Sequence, residues 1–266
     1  MRTGPSRRVI AAGLALFAAG AHAQASAPAT SWEVSAGLLQ RHLVERADDG
    51  SRLVTESGPL LRLGVSGALD LAGGGRLRAE AGITGGTLDY EAPRGAGTLT
   101  SDTRHRDLDL TLAWRPIAPA AWGEGWLVLR AAREQRDIHG TASAGGLRET
   151  STLLLPGVRW SRDFAGTGWN WTPSLELRTS VSHRLDVDYQ GVFDNQDLQG
   201  GHRNEVALAL AAWAPSSAWR WSLEWTHVRQ QASDTEAVHR AGVAVGTVRQ
   251  PRIEIDDVML RATRAF

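Results

Sequence analysis

The chain has 266 residues and balances 29 basic against 29 acidic side chains, so its formal net charge at neutral pH is zero. Without a basic excess it is not expected to bind nucleic acid. The absence of cysteine excludes disulfide bonds and thiolate metal sites. No motif in the sequence indicates a cofactor or a metal ion.

The first 23 residues predict a secretory signal peptide. Arginines precede an apolar core from Val9 to Ala19, and a small-residue pattern ending at Ala23 predicts the cleavage site. The apolar core is shorter than the roughly twenty residues of a membrane-spanning helix. We expect residues 24–31 to form a short linker and residues 32–266 to form the folded domain, with a net charge of about minus three after cleavage.

From residue 32 onward, apolar and polar residues alternate with a period of two in about ten segments, which is typical of β-strands. In chain order the segments are Trp32–Arg46, Arg52–Asp70, Arg76–Thr87, Arg104–Pro116, Trp126–Ile138, a segment around Leu154 to Trp160, Trp169–Tyr189, Asn204–Ala214, Trp219–Gln231 and Ile253–Phe266.

The longest segment, Trp169–Tyr189, predicts one continuous strand. Its apolar side up to Val181 rises roughly 25 Å, at about 3.3 Å per residue and a tilt of about 40°. That height matches the apolar band of an outer-membrane barrel, so the remaining eight residues are expected to continue above the band. The outward face of this strand is predicted to carry Trp169, Trp171, Leu175, Leu177, Val181, Leu185, Val187 and Tyr189.

Short turns and longer polar connections alternate along the chain. The turns near residues 71, 117, 165 and 215 are short, whereas most other connections, such as residues 88–103, are longer and more polar. Periplasmic turns and extracellular loops differ in this way in up-and-down barrels. Ten of the eleven tryptophans lie beside the chain start or a short turn, which predicts an aromatic girdle at a membrane interface.

These patterns predict an all-β fold, a transmembrane up-and-down antiparallel β-barrel of about ten strands in the outer membrane of a Gram-negative bacterium. A soluble sandwich or barrel is the alternative, but its tryptophans would scatter through a core. The expected partners are outer-membrane lipid, lipopolysaccharide and the barrel-assembly machinery, the last through the C-terminal strand that ends in Phe266.

The predicted interior carries side chains of both charges. A ten-stranded barrel is only slightly wider than the eight-stranded kind that side chains fill. Ion pairs are therefore expected to plug the lumen, and a narrow channel is the alternative. The inward residues are Arg62, Arg76, Arg78, Glu80, Asp107, Asp109, Glu176, Arg178, Arg220 and Glu224.

Two acidic pairs near the outer rim are candidate catalytic groups. Asp107 and Asp109 share one parity, as do Asp186 and Asp188, so both members of each pair are expected to face the lumen or the space above it. Neighbouring carboxylates can hold a water and split their pKa values. Neutralisation by nearby arginines is the alternative.

The strand number, the long outer strands and the chain size resemble the omptin family of outer-membrane aspartyl proteases. That family carries an Asp-x-Asp pair in its second outer loop and an Asp-x-His-Tyr element at the fourth. Here DYE, from Asp89 to Glu91, stands at the first place, and DVDY, beginning at Asp186, stands at the second. The resemblance implies a hydrolase that uses Asp89, Glu91, Asp186 and Asp188. Asp188 replaces the family's histidine, which counts against this activity.

A third group of candidates lies on the outside of the predicted barrel. Arg133, His183, His227 and Arg229 fall on the outward parity just beyond the apolar band, where cations can pair with lipopolysaccharide phosphates. Ordinary solvated charges on strand extensions are the alternative. The sequence thus favours a non-enzymatic structural or surface-interaction protein over an omptin-like hydrolase or a narrow channel.

Overall fold

The computed structural model describes residues 30–95, 97–141 and 145–266. The predicted signal peptide and residues 24–29 of the predicted linker lie outside the described residues. No helix in the described part is long and apolar enough to cross a membrane. The strands are β1 (Thr30–Arg46), β2 (Arg52–Asp70), β3 (Arg76–Arg94), β4 (Gly97–Arg115), β5 (Glu124–Ile138), β6 (Leu147–Ser161), β7 (Phe164–Ala165), β8 (Asn170–Thr179), β9 (Ser182–Asp188), β10 (Gln196–Gln199), β11 (Arg203–Trp213), β12 (Trp219–Gln230), β13 (Glu236–Arg240), β14 (Val243–Val248) and β15 (Arg252–Ala265).

Ten of these strands close into a ring. β1 to β6 follow one another as neighbours, β15 returns to pair with β1, and β12, β11 and β8 lead back to β6. All of these pairings are antiparallel, and the closing pair runs from Glu33 opposite Ala265 to Arg46 opposite Arg252. The predicted antiparallel barrel of about ten strands is confirmed.

The connections differ between the two ends of the barrel. The four predicted short turns lie together at one end, between β2 and β3, β4 and β5, β6 and β8, and β11 and β12. At the other end, the predicted loop at residues 88–103 is wrong, because β3 and β4 remain paired up to Arg94 opposite Gly97. Above the lipid both faces of a strand can be polar, so alternation is lost although backbone pairing continues.

The predicted continuous strand Trp169–Tyr189 is also wrong, because the chain breaks between β8 and β9. Against β6, the register changes by one residue, from Gly157 opposite Arg178 to Leu154 opposite Ser182. Val181 and Ser182 are both exposed, so the inward and outward parities exchange at this point.

The exchange turns the apolar residues of β9 inward. Leu185 and Val187 are buried and form a cluster with Leu198 of β10. The predicted outward position of these residues is therefore wrong. Leu147, Tyr189 and Val248 pack against this cluster.

The barrel wall below the break is apolar outside and polar inside. On β4, Leu108 and Leu110 are 50% and 41% exposed, whereas the alternate residues Asp107 and Asp109 are 8% and 3% exposed. A soluble barrel has the opposite arrangement, so the exposed apolar surface fits a lipid environment. We call this surface the apolar belt; it consists of Val34, Leu38, Leu61, Leu63, Val65, Ile83, Leu108, Leu110, Leu112, Leu127, Leu129, Val158, Leu175, Leu177, Leu208, Leu210, Leu223, Val258 and Leu260.

Replacing Leu110 by arginine is expected to lower the free energy of unfolding in lipid vesicles by about 2–4 kcal/mol, because the charge would lie within the belt. The matched substitution Leu53→Arg, on the outer extension of β2, is expected to cost about 0–1 kcal/mol. Urea titration of tryptophan fluorescence measures both. Equal losses at the two positions would contradict a membrane boundary that lies between them.

Candidate functional site

The lumen near the short turns is crossed by ion pairs. Arg78 Nη2 lies 2.6 Å from Glu33 Oε2. Arg261 bonds to Glu80 at 2.9 Å and to Glu224 at 2.7 Å. Arg261 belongs to β15 and Glu80 to β3, which are separated in the ring by β1 and β2. The guanidinium group therefore reaches across the lumen.

A second layer of ion pairs lies further from the short turns. Glu205 accepts hydrogen bonds from Arg178 Nε at 2.7 Å and from Arg130 at 3.3 Å, and it lies 2.7 Å from Arg203 Nη2. Arg203 also reaches Glu134 of β5 at 2.6 Å. Strands β5 and β11 are separated by β6 and β8, so these bonds join strands that are three positions apart in the ring.

A third layer lies at the long-loop end and is centred on Arg136. Its guanidinium group lies 2.6 Å from Glu56 of β2 and 3.1 Å from Glu149 of β6, and it also bonds Glu45 of β1. The fully buried Glu56 accepts a hydrogen bond from the Thr103 hydroxyl at 2.9 Å. Through Arg136, which lies on β5, four strands of the ring are joined.

The Glu56 carboxylate stands above the apolar belt and is held in its charged form. Burial by itself raises the pKa of Glu56, but the Arg136 guanidinium and a hydrogen bond with His105 outweigh it and lower the pKa to about 2. The His105 Nε2 atom lies 2.8 Å from Glu56 Oε2. This carboxylate is a structural partner rather than a proton acceptor at neutral pH.

A cavity of about 440 Å³ occupies the part of the lumen below the Arg136 layer. Its lining includes Ser31, Arg76 and Trp213 beside the short turns and reaches Arg41 and Asp107 further up. Trp126 and Trp213 line this cavity and stack under Arg115 and Arg220. Both tryptophans therefore lie at the level of the predicted girdle but face the lumen.

The acidic pair Asp107 and Asp109 faces the lumen as predicted, and arginines neutralise it. Both oxygens of Asp109 bond Arg62, at 2.7 and 2.9 Å. Asp107 accepts a bond from Arg41 at 3.1 Å, and Arg41 also holds Asp257. Each carboxylate therefore lies in an ion pair, although Oδ1 of Asp107 is buried and has no hydrogen-bond partner within the described residues.

The pair Asp186 and Asp188 does not face the lumen, which corrects the prediction. After the break that follows β8, the even-numbered residues of β9 point outward. Asp186 pairs with Arg184 at 3.1 Å, and Asp188 lies 4.0 Å from Arg148. Burial raises the pKa of Asp186, and a hydrogen bond with Asp197 raises it further.

The four carboxylates suggested by the family resemblance are not brought together. Asp89 and Glu91 are exposed on the outward face of β3. Strands β4, β5 and β6 lie between them and the strand that carries Asp186 and Asp188. Within the described residues, no group of three or more histidine, aspartate or glutamate side chains could hold a metal ion.

The four predicted outer-wall cations have different environments. His183 is 3% exposed and bonds the Gly201 carbonyl at 2.9 Å and the Ser151 hydroxyl at 3.1 Å. Burial lowers the pKa of His183, so its ring is neutral and its predicted outward position is wrong. Its position cannot be read from the alternation of the sequence, because the register change reverses parity just before it.

His227 and Arg229 do point outward on β12, but acidic residues surround them. His227 Nδ1 lies 2.9 Å from Asp256, and Arg229 Nε donates to His227 Nε2 at 3.2 Å. Glu254 lies directly opposite Arg229 on β15. These carboxylates reduce the attraction of the pair for an anion.

Arg133 points outward on β5 and belongs to a group that the sequence analysis missed. Arg104 and Arg106 of β4 are exposed on the same outer face. In the described part of the chain none of the three arginines makes a salt bridge or hydrogen bond. Asp137, directly opposite Arg104, bonds Arg148 instead. The even spacing of Arg104 and Arg106, in phase with Leu108, is the signal that indicates this group.

No family model matches the sequence. No curated protein matches it either. Among solved structures, the outer membrane protease OmpT from Escherichia coli matches with a TM-score of 0.58 at 8% identity, over 89% of this chain and 96% of that chain. The translocator domain of the autotransporter NalP from Neisseria meningitidis matches with a TM-score of 0.47 at 10% identity, over 89% of this chain and 88% of that chain.

The β-domain of the Bordetella autotransporter BrkA matches with a TM-score of 0.46 at 13% identity, over 89% of this chain and the whole of that chain. Both autotransporter scores are too low to define a shared fold. The match to OmpT shows the fold alone, since the identity is 8%. The chain has an omptin-like architecture, that of a closed ten-stranded β-barrel of the bacterial outer membrane.

Proposed function

We propose that the protein is a non-enzymatic barrel with a plugged lumen that binds lipopolysaccharide phosphates on its outer wall. The observation that carries this proposal is the group formed by Arg104, Arg106 and Arg133, which we call the arginine patch. All three guanidinium groups are exposed and unpaired within the described residues. Three arginines at one place without a salt-bridge partner give this part of the outer wall a positive charge, which favours an anionic ligand.

The arginine patch adjoins the apolar belt. Arg133 lies directly opposite Leu108, a belt residue, and Arg106 lies two residues beyond Leu108 on the same face. Lipid chains that pack on Leu108 would therefore bring their phosphates within reach of these arginines. A guanidinium group binds phosphate through two parallel hydrogen bonds, which makes arginine well suited to this contact.

The second outward group, His227 and Arg229, supports lipid contact less strongly. Asp256 and Glu254 share its surface and repel a phosphate. The arginine patch has acidic neighbours too, since Asp102 lies two residues from Arg104 on the same face and Asp137 interacts electrostatically with Arg106. These carboxylates are bound by His139 and Arg148. We therefore assign the lipid phosphate to β4 and β5.

The ion pairs of the lumen support the proposed plug. The Arg136 layer joins β1, β2, β5 and β6 at the long-loop end, which we take as the outer end. Apolar clusters reinforce it, one of them formed by Leu43, Val228, Ile253 and Ile255. The exposed tryptophans Trp32, Trp114, Trp160, Trp171, Trp219 and Trp221 near the short turns fit a girdle at the periplasmic interface.

Assembly of this barrel would involve the C-terminal strand. β15 closes the ring against β1, and Phe266, which follows it, is 71% exposed. We propose that the barrel-assembly machinery recognises this strand before closure, when the edge of β15 is still open.

Replacing Arg106 and Arg133 together by glutamine is expected to weaken binding of diphosphorylated lipid A by about tenfold to a hundredfold, since each charged hydrogen bond contributes about 1.5–3 kcal/mol before losses to solvent. Fluorescence titration of the refolded protein in detergent measures the affinity. The matched control is Arg229→Gln on β12, which should leave the affinity for diphosphorylated lipid A within about twofold of the wild-type value.

Dephosphorylated lipid A provides the second control. Wild-type protein should bind it as weakly as the double variant does, because only the phosphate distinguishes the two lipids. Equal affinity of wild type and double variant for the diphosphorylated lipid would refute the assignment of the phosphate to the arginine patch.

Wild-type protein in planar bilayers is expected to give no stepwise conductance at neutral pH, because the Arg136 layer and the apolar clusters close the lumen above its cavity. Arg41→Ala leaves Asp107 and Asp257 without a cation and should admit water and brief conducting events. Arg46→Ala, which removes an exposed pair with Glu254, should stay silent. Regular conductance steps from the wild type would favour the narrow channel.

Glu56→Gln is expected to lower the free energy of unfolding at pH 7 by about 1–3 kcal/mol. The pKa of Glu56 is lowered from 4.5 to about 2 in the fold, so its stabilising effect is present above pH 4.5 and is lost as the pH falls from there towards 2. The difference between wild type and variant should therefore shrink over that interval. Urea unfolding at each pH measures it, with Glu254→Gln at the exposed rim as the control; a constant difference would contradict the role of Glu56.

A further inference from the structure

The hairpin formed by β13 and β14 is a continuation of the barrel wall. Gln230 lies opposite Ile253 at the end of the β12–β15 pair. Beyond it, Ser233 N donates to the Gln250 carbonyl at 3.0 Å, and Glu236 then lies opposite Val248. The two-stranded ribbon therefore extends past the rim of the barrel in nearly the same register.

One edge of the hairpin is covered by the chain between β9 and β11. Asp194 N donates to the His239 carbonyl at 2.8 Å, and the Gln196 side chain bonds the Ala237 carbonyl. The Asp194 carboxylate also accepts bonds from the turn amides of Ala241 and Gly242, at 3.1 and 2.8 Å. These contacts fix the hairpin and occupy the outer edge of β13.

The edge of β14 is open. In the described part of the chain, its backbone pairs with β13 alone. Val243 and Val245 are 65% and 53% exposed, and the strand contains no charged residue and no proline. Proteins usually protect a free edge with lysine, proline or a covering segment, and β14 has none of these.

A β-bulge gives the open edge a particular shape. Val238 and His239 lie opposite Gly246 and Ala244, so Val245 is the extra residue. A bulge increases the local twist of a strand, which hinders growth of a flat sheet from identical strands. A single extended peptide can follow the twist, since its backbone is free to adjust.

We propose that the β14 edge binds an extended segment of another polypeptide by strand addition. The segment would be uncharged and rich in β-branched residues at its centre, to match Val243–Val248. Acidic residues at its ends would keep the segment soluble and would not be needed for recognition, because Arg249 already pairs with Asp48 and Arg240 already bonds the Val192 carbonyl. Backbone hydrogen bonds supply the affinity in this mode of recognition, and the side chains supply the specificity.

A second copy of this chain is a poorer occupant. Two copies in one membrane direct their hairpins the same way, so a twofold axis between them runs along the membrane normal. Such an axis places the same residue of each β14 side by side. Backbone N–H groups then face N–H groups, and carbonyl groups face carbonyl groups. No ladder forms in that arrangement.

The inference rests on the proposed outward direction of the loops, but it does not depend on the arginine patch. Lipid binding and peptide binding use different strands, so each can fail without the other. Both are therefore measured on the same samples.

The probe is a fluorescent peptide, Asp-Thr-Val-Thr-Val-Thr-Asp, titrated into the full refolded barrel and followed by anisotropy. Val245→Lys should weaken binding at least about tenfold, because lysine blocks strand addition at an edge. Val245→Thr, which stays uncharged, and Thr98→Lys, on the β3–β4 hairpin, should each leave the affinity within about twofold. A peptide with alternate amides methylated should not bind, since it lacks the donors of the ladder.

Heat-resistant migration in a detergent gel verifies that each variant is folded, independently of lipid A binding. No saturable binding of the peptide to folded wild type, or equal binding to wild type and Val245→Lys, would overturn the proposal. Disulfide cross-linking of Val245→Cys protein to a second copy in vesicles would overturn it as well, in favour of self-pairing.

Discussion

Closure of the sheet is the constraint on which the rest of the structure depends. Hydrocarbon offers no partner for an open strand edge, so the first and last wall strands must pair along their length, and β1 does so with β15 from Glu33 to Arg46. Once the ring is closed, a wall residue can face only lipid or lumen. The alternation that covers the outside with leucine and valine therefore also directs the charged residues into a narrow shared space.

The narrowness of that space determines what the charges do. Arginine side chains reach across from one strand to another several positions away, as Arg136 does to Glu45 and Glu56. Carboxylates that looked available in the sequence, such as Asp107 and Asp109, already have guanidinium partners. The groups that are most accessible to a ligand therefore lie on the outer wall and along the exposed hairpin edge.

The fold could be predicted from the sequence because the lipid requires a period of two over most of the wall. The candidate site could be predicted only in part. One residue of register change before Ser182 reverses the parity of β9, which buries His183 and turns Asp186 outward. Alternation contains no signal for such an irregularity. The pairing of Asp137 with Arg148 rather than Arg104 likewise depends on contacts between neighbouring strands.

The cations of the lumen have one further consequence. The sequence contains no lysine, so every permanent positive charge in the interior is a guanidinium group. Arginine keeps its proton throughout the alkaline range in which an amine would lose it. Mild alkali therefore cannot deprotonate the guanidinium groups of the ion pairs that cross the lumen. The barrel interior should tolerate base far better than acid, an asymmetry that a lysine-containing lumen would not share.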